Sequence, residues 1–172
     1  ASRGLGDVYK RQVEEYLELI DELKAEVPDV SLTTDIIVGF PGETDDQFQD
    51  TLKVMERVRY SSSFMFSYSP RPGTPANEMQ DSVSEDIKRQ RLQKTIQLQN
   101  RLTEEQGKGF VGKTVEMLIE GNSSRPDYSF KGRNPQYWRV NAKGDGNRYH
   151  PGDIVNVQIE KTSGHALTGV IQ

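Results

Sequence analysis

Cysteine is absent from this chain of 172 residues. Its own side chains therefore form neither a disulfide framework nor a thiolate metal site. Long apolar runs are absent as well, and none approaches the roughly 18 residues of a membrane-spanning helix. The first dozen residues lack the apolar core of about 7 to 15 residues that marks a signal peptide. A cytoplasmic location is the default expectation.

Histidine is scarce, with His150 and His165 as its two occurrences. Neither has carboxylate or cysteine neighbours at the spacing of metal ligands. We therefore predict no metal site within this chain.

Charge is distributed unevenly along the sequence, although the formal net charge is only −4. Residues 1–109 hold 14 basic and 20 acidic side chains, whereas residues 110–172 hold 8 basic and 6 acidic ones. Between Gly121 and Arg148 there are six basic residues and two acidic ones. This division indicates an acidic module followed by a basic one, and favours a nucleic-acid partner for the second.

Two apolar segments end abruptly in glycine, proline and a charged or polar group: TTDIIVGFPGET at 33–44 and FMFSYSPRPGTP at 64–75. Such segments are typical of buried parallel strands whose carboxyl ends open into a ligand crevice. A helical apolar pattern precedes the first segment, and a capping box of Thr44 and Gln47 begins another helix after it. The alternation predicts a parallel sheet with crossover helices.

The second half of the chain carries a different pattern. Ser82 and Glu85 are spaced as a capping box, and predict a long polar helix from about Ser84 to Gln106 that joins two modules. Its sparse apolar residues are Ile87, Leu92, Ile96 and Leu102. Period-two alternation then begins at Val115 and returns near Ile154, which predicts a small closed β-barrel.

The residues 107–114, GKGFVGKT, match the phosphate-loop pattern G-x-x-x-x-G-K-T. That pattern binds phosphate when a strand precedes it and a helix follows, because backbone N–H groups and the helix dipole then converge on the anion. Here a predicted polar helix precedes the match and a predicted strand of alternating polarity follows it. We therefore interpret these residues as a connection between modules.

The two strand segments, followed by a helix and VGKTVEMLIEG, closely resemble the radical S-adenosylmethionine methylthiotransferases, and among these the MiaB type that acts on tRNA. The resemblance implies an α/β fold: the carboxyl-terminal part of a partial TIM-like barrel over 13–109, then a small all-β TRAM barrel over 110–172. Residues 1–12 are interpreted as a non-native or miscalled leader. The implied reaction adds a methylthio group to carbon 2 of isopentenyl-adenosine beside the anticodon.

The resemblance also implies S-adenosylmethionine and two [4Fe-4S] clusters as cofactors. The cluster cysteines lie near the amino terminus of the complete family members, so we expect this chain to be a distal fragment that is inactive alone. It implies that Ile37, Gly39 and Glu43 form the wall or rim of the cofactor pocket, unless they serve only as core and helix cap. Arg71 is a candidate partner for a carboxylate or phosphate, or simply ties down a proline-rich loop.

The resemblance implies contact with a tRNA anticodon stem-loop through the basic tail. There, cations that anchor phosphates are interleaved with aromatic side chains that stack on unpaired bases. The predicted RNA-binding residues are Lys113, Lys131, Arg133, Trp138, Arg139 and Arg148. The family pattern G-R-T-x-x-N-R-V-V carries across to Arg133, Arg139 and Val140, but Trp138 replaces its asparagine.

Two alternatives remain open from the sequence. One is a related methylthiotransferase that modifies an aspartate of a ribosomal protein or threonylcarbamoyl-adenosine in tRNA; Arg71 and Pro72 favour a tRNA enzyme over the ribosomal-protein type. The other is an RNA-binding module without catalysis of its own.

Overall fold

The computed structural model describes residues 12–80 and 82–172, so the predicted leader lies outside the described residues except for Gln12. The chain divides into two compact units, residues 1–30 and 31–172. The described part of the first unit contains helix α1, Val13–Glu26. It ends two residues before Pro28, which cannot continue a helix. None of the helices in the described ranges is long and apolar enough to span a membrane.

The second unit begins with a parallel strand pair and its crossover helix. Strand β1, Thr33–Val38, pairs with β2, Ser62–Ser67, and helix α2, Asp45–Val58, connects them. The predicted capping box is present: the Thr44 hydroxyl accepts from the Gln47 N–H at 3.2 Å, and the Gln47 side chain accepts from the Thr44 N–H at 2.9 Å. The mixed α/β class is therefore confirmed for this part of the chain.

A short helix α3, Pro75–Glu78, precedes the long helix α4, Glu85–Lys108. Ser84 is the residue that caps α4, because its hydroxyl accepts from the Ile87 N–H. The prediction that Ser82 caps this helix is wrong. The Ser82 hydroxyl accepts from the Gly42 N–H at 3.1 Å and so ties the start of α4 to the loop after β1.

Helix α4 buries a mainly polar face. Ile87 and Ile96 are exposed, whereas polar side chains fill the contact with the strand pair. The buried polar residues of α4 are Lys88, Arg91, Thr95, Gln99 and Thr103. The reason is that the chain entering β2 presents polar atoms: Gln99 donates to the Tyr60 carbonyl at 2.8 Å and accepts from the Ser63 hydroxyl at 2.7 Å.

The carboxyl-terminal part folds into a closed five-stranded β-barrel in the order β3-β4-β5-β7-β6. Its strands are β3, Thr114–Asn122; β4, Phe130–Arg133; β5, Arg139–Lys143; β6, Ile154–Ser163; and β7, Ala166–Ile171. All neighbours are antiparallel except β5 and β7, which are parallel. The predicted alternation is confirmed in β3, where Met117 and Ile119 face the core. The closed barrel thus confirms the predicted all-β architecture of this region.

Two glycines face the barrel interior opposite β-bulges. The register shifts between Ile119 and Gly121 in β3 and between Ile159 and Lys161 in β6. A Cβ atom on Gly132 would lie 2.0 Å from the Leu118 carbonyl oxygen, and one on Gly169 would lie 2.0 Å from the Gln158 oxygen. A backbone oxygen moves aside only if its strand is displaced. The sharp bend of the barrel at these positions therefore requires a residue without a Cβ atom.

Helix α4 packs directly onto the barrel through its last turn. A Cβ on Gly107 would lie 2.5 Å from the Thr162 hydroxyl oxygen and 3.4 Å from the Trp138 ring. The rings of Phe110 and Trp138 lie 5.5 Å apart between centroids. The matched residues 107–114 therefore run from a helix end into a strand, which is the reverse of the phosphate-loop order.

Candidate functional site

The carboxyl ends of β1 and β2 lie at one edge of the strand pair, where the Tyr68 N–H donates to the Val38 carbonyl at 2.8 Å. On one side of the pair, Ile36 and Val38 are buried. On the other, Ile37 is 56% exposed and lies in register with Phe66, which is also exposed. Phe64 belongs to the same exposed face. The predicted site residue Ile37 thus contributes to an open apolar surface.

Gly39 begins the loop after β1 with a positive φ of 73°. Its N–H donates to the Glu43 carboxylate at 2.7 Å. A Cβ at this position would lie 2.5 Å from Cγ of Lys88, which is buried in α4. The glycine is therefore required by backbone conformation and by the close approach of α4, both of which are internal to the fold.

Glu43 forms a nearly buried ion pair with Arg91 of α4. The guanidinium donates to the Glu43 carboxylate at 2.6 Å and to the Glu43 carbonyl at 3.0 Å. It also donates to the exposed Asp45 carboxylate at 2.6 Å. Burial lowers the pKa of Arg91, but its hydrogen bonds to Asp45 and Glu43 outweigh burial and raise the pKa above its ordinary value. The Glu43 carboxylate thus fixes the Gly39 loop to α4.

Arg71 lies in the exposed loop between β2 and α3. The Thr74 hydroxyl donates to the Arg71 carbonyl at 2.8 Å, which closes the proline-rich turn. The Arg71 side chain is exposed to solvent and stays available to a partner from outside the chain.

The outer face of β4 and β5 carries a row of cations, which we call the β4–β5 face. The cations are Lys131, Arg133, Arg139 and Lys143, and they alternate with buried residues along both strands. Arg133 and Arg139 lie opposite each other in the strand register. Lys143 is not among the predicted RNA-binding residues, although the same alternation in β5 points to it. Three predicted RNA-binding residues are therefore brought together on one surface.

The structure places Trp138 in the barrel core, with 6% of its surface exposed. It faces inward with Val140 because alternate residues of a strand point to the same side. The neighbouring Tyr137 is 73% exposed, and its ring centroid lies 4.1 Å from Cζ of Arg133. Trp138 is thus a predicted RNA-binding residue that the structure buries, and the exposed aromatic ring beside it belongs to Tyr137.

The remaining two predicted RNA-binding residues belong to neither β4 nor β5. Lys113 precedes β3, and its carbonyl accepts from the Ile159 N–H of β6. Arg148 lies in the connection between β5 and β6, with its guanidinium 5.3 Å from the centre of the Tyr149 ring.

Iron–sulfur clusters are held by cysteine thiolates, and this chain has none. Over residues 12–80 and 82–172, no group of three or more His, Asp or Glu side chains is arranged to hold a metal ion. The chain's residues therefore do not fit the clusters that the resemblance implies, and we derive no step of the reaction through them.

Residues 108–171 match the family model of the TRAM domain. The chain is 44% identical over 158 residues to the tRNA-2-methylthio-N(6)-dimethylallyladenosine synthase of Acetivibrio thermocellus, covering 92% of this chain and 32% of that protein. Proteins of the same name from Clostridioides difficile and Clostridium novyi are 42% and 40% identical, over 92% of this chain and 33% and 34% of their own lengths. The chain thus spans about a third of the length of these curated relatives.

Proposed function

We infer, from the premise that this chain belongs to the family of tRNA-2-methylthio-N(6)-dimethylallyladenosine synthases, that it is the carboxyl-terminal part of a tRNA methylthiotransferase. The reaction we propose adds a methylthio group to carbon 2 of isopentenyl-adenosine next to the anticodon. The identity of 44% over 92% of the chain carries this proposal. The names of the relatives favour this substrate over threonylcarbamoyl-adenosine or a ribosomal protein.

The part around β1, α2 and β2 is proposed to belong to the partial TIM-like barrel of a radical S-adenosylmethionine domain, within residues 13–109. Two parallel strands joined by a crossover helix are the repeating unit of such barrels. The exposed face of Ile37, Phe64 and Phe66 supports this assignment, because an apolar sheet face of this kind requires a covering layer. We propose that the amino-terminal remainder of the same polypeptide covers it.

In the complete enzyme, S-adenosylmethionine and the iron–sulfur clusters would supply the radical chemistry and the sulfur, and cysteines in the remainder of the polypeptide would hold the clusters. Ile37 is proposed to form part of the apolar wall beside the adenosyl group. Glu43 is proposed as a positioning residue, since its carboxylate already accepts from Gly39 and Arg91. Arg71 remains a candidate for an external carboxylate or phosphate.

The TRAM domain, proposed as residues 110–172, is assigned the RNA contact. Lys131, Arg133 and Arg139 support this role because cations that share one exposed face can follow a phosphate backbone. The proposed partner is the anticodon stem-loop of tRNA. The isolated chain then acts as an RNA-binding module, and catalysis requires the cysteine-bearing remainder.

Replacing Arg133 and Arg139 together with alanine should weaken binding of the chain to an isopentenylated anticodon stem-loop. If each guanidinium neutralises one phosphate, the slope of log K against log salt should fall by roughly 1.4 to 1.8, at about 0.7 to 0.9 per phosphate. The measurement is a salt series by fluorescence anisotropy.

The matched control replaces Lys53 and Lys108, two exposed cations on helices, and so removes the same net charge elsewhere. This control should retain most of the affinity for the stem-loop, and its salt slope should stay close to that of the parent. Equal losses in the two double variants would contradict a localised RNA surface, and tight binding to ribosomal protein instead of RNA would contradict the tRNA assignment.

A further inference from the structure

Tyr137 occupies a conformation that its side chain disfavours. Its φ is 68°, in the left-handed region where a residue with a Cβ atom is strained. The residue is 73% exposed, so burial of the ring does not compensate for this strain. Residues strained in this way cluster at ligand-binding sites, which makes Tyr137 a candidate for such a site.

The turn between β4 and β5 is held rigidly by the buried Asn134. Its N–H donates to the Trp138 carbonyl at 3.1 Å, and its side-chain oxygen accepts from the Trp138 N–H at 2.8 Å. Its side-chain amide also donates to Gln136 at 2.9 Å, and its carbonyl accepts from the Tyr137 N–H at 2.9 Å. The strained residue is therefore fixed from inside the barrel.

The ring of Tyr137 is also oriented from one side. The Arg133 guanidinium lies 4.1 Å from the ring centroid and donates to the Glu120 carboxylate at 3.0 Å. Because the residue remains mostly exposed, the opposite face of the ring is open to solvent. An aromatic face that is already ordered loses little conformational entropy when a ligand stacks on it.

Apolar side chains extend the surface next to this ring. Leu118 of β3 lies opposite Arg133 on the neighbouring strand β4, and opposite Ile154 on the other neighbouring strand, β6. Leu118 is 46% exposed and Ile154 is 69% exposed. The row across the barrel therefore combines apolar contact area with the cations of the β4–β5 face.

We propose that Tyr137 is a stacking platform for an unpaired base of the RNA, with the β4–β5 cations contacting the adjoining phosphates. This inference rests on the proposed RNA-binding function and specifies its ligand: a single-stranded nucleotide of a loop, not a paired stem. Every base has a π-face, so stacking on tyrosine selects unpaired nucleotides without selecting their sequence.

Tyr137→Gly tests this proposal in the full chain. Glycine adopts the left-handed conformation without strain, so the thermal unfolding midpoint should not fall. The affinity for a hairpin with an unpaired loop should fall roughly 5- to 150-fold, which corresponds to the loss of one stacked base. The affinity for a fully paired duplex and the salt slope should remain those of the parent chain, because no phosphate contact is removed.

Tyr137→Phe is the matched control, because it keeps the ring and should keep the affinity for the loop. Quenching of a fluorescent base analogue in the loop should be present with the parent and with Tyr137→Phe, and absent with Tyr137→Gly. If the parent shows salt-dependent RNA binding and Tyr137→Gly binds the loop equally well, the platform alone is overturned. If the parent binds neither RNA, the proposed function fails.

Discussion

Replacing Arg91 with alanine should lower the free energy of unfolding by about 3 to 5 kcal/mol, because it leaves a nearly buried carboxylate without its countercharge. The side chains of Arg91 and Glu43 are only 6% and 11% exposed. The variant also removes the donor to the Glu43 carbonyl and the guanidinium that lies 5.5 Å from the Phe48 ring centre. Urea denaturation followed by circular dichroism measures the loss.

The matched control is Arg89→Ala, two residues away on the same helix. Arg89 pairs with Asp86 at 3.1 Å, but both side chains are more than three-quarters exposed. Exposed pairs contribute about 0 to 1 kcal/mol, so this variant should remain close to the parent in stability. Similar losses in the two variants would mean that the Arg91 pair does not stabilise the fold through its burial.

Hydrogen exchange at the Gly39 amide distinguishes a local effect on the loop after β1 from a loss of stability of the whole fold. The Gly39 N–H donates to the Glu43 carboxylate that Arg91 holds. Between the parent and Arg91→Ala, the hydrogen-exchange protection of this amide should fall more than the protection of the core amides of the barrel. Unchanged protection of Gly39 would show that Glu43 holds the loop without help from α4.

Replacing Gly132 with alanine should destabilise the barrel by about 3 kcal/mol or more. The added Cβ would lie 2.0 Å from the Leu118 carbonyl oxygen and 3.0 Å from Cγ of Met117. Overpacking a core typically costs about 1 to 3 kcal/mol, and the cost is higher where the obstacle is backbone. Strands β3 and β4 must then separate at the bulge, so the variant should unfold in less urea than the parent.

Gly146→Ala is the control for this prediction. Apart from Gly146 and its two chain neighbours, no heavy atom of the described residues lies within 4 Å of a Cβ built at this position. A surface substitution of this kind should stay within about 0.5 kcal/mol of the parent. A stable Gly132→Ala variant would contradict the close approach of β3 and β4.

The features that could be predicted from the sequence depend on neighbouring residues. The capping box of Thr44 and Gln47 involves groups three residues apart, and it forms as predicted. The alternation in β3 is also local, because successive side chains of a strand point to opposite sides. The assignment of each segment as helix or strand, and the prediction of a closed barrel, rest on such patterns among neighbouring residues.

The features that the sequence did not predict depend on distant partners. The sequence indicates a helix cap or a residue of the cofactor pocket at Glu43. Its ion-pair partner Arg91 lies 48 residues further along the chain. The polar face of α4 is buried because Gln99 meets carbonyl and hydroxyl groups near β2. Trp138 is a predicted RNA contact that lies in the core instead, because a shift of one residue reverses the side of a strand on which a ring lies.

Helix α4 is continuous from the strand pair to the barrel, and close contacts fix it at both ends, to Gly39 through Lys88 and to Thr162 through Gly107. Its 24 residues give a length of about 36 Å at 1.5 Å per residue. One inserted residue would turn the barrel by about 100° relative to the strands. The distance between the two regions can therefore change only in steps of about 7 or 11 residues, which restore the original orientation.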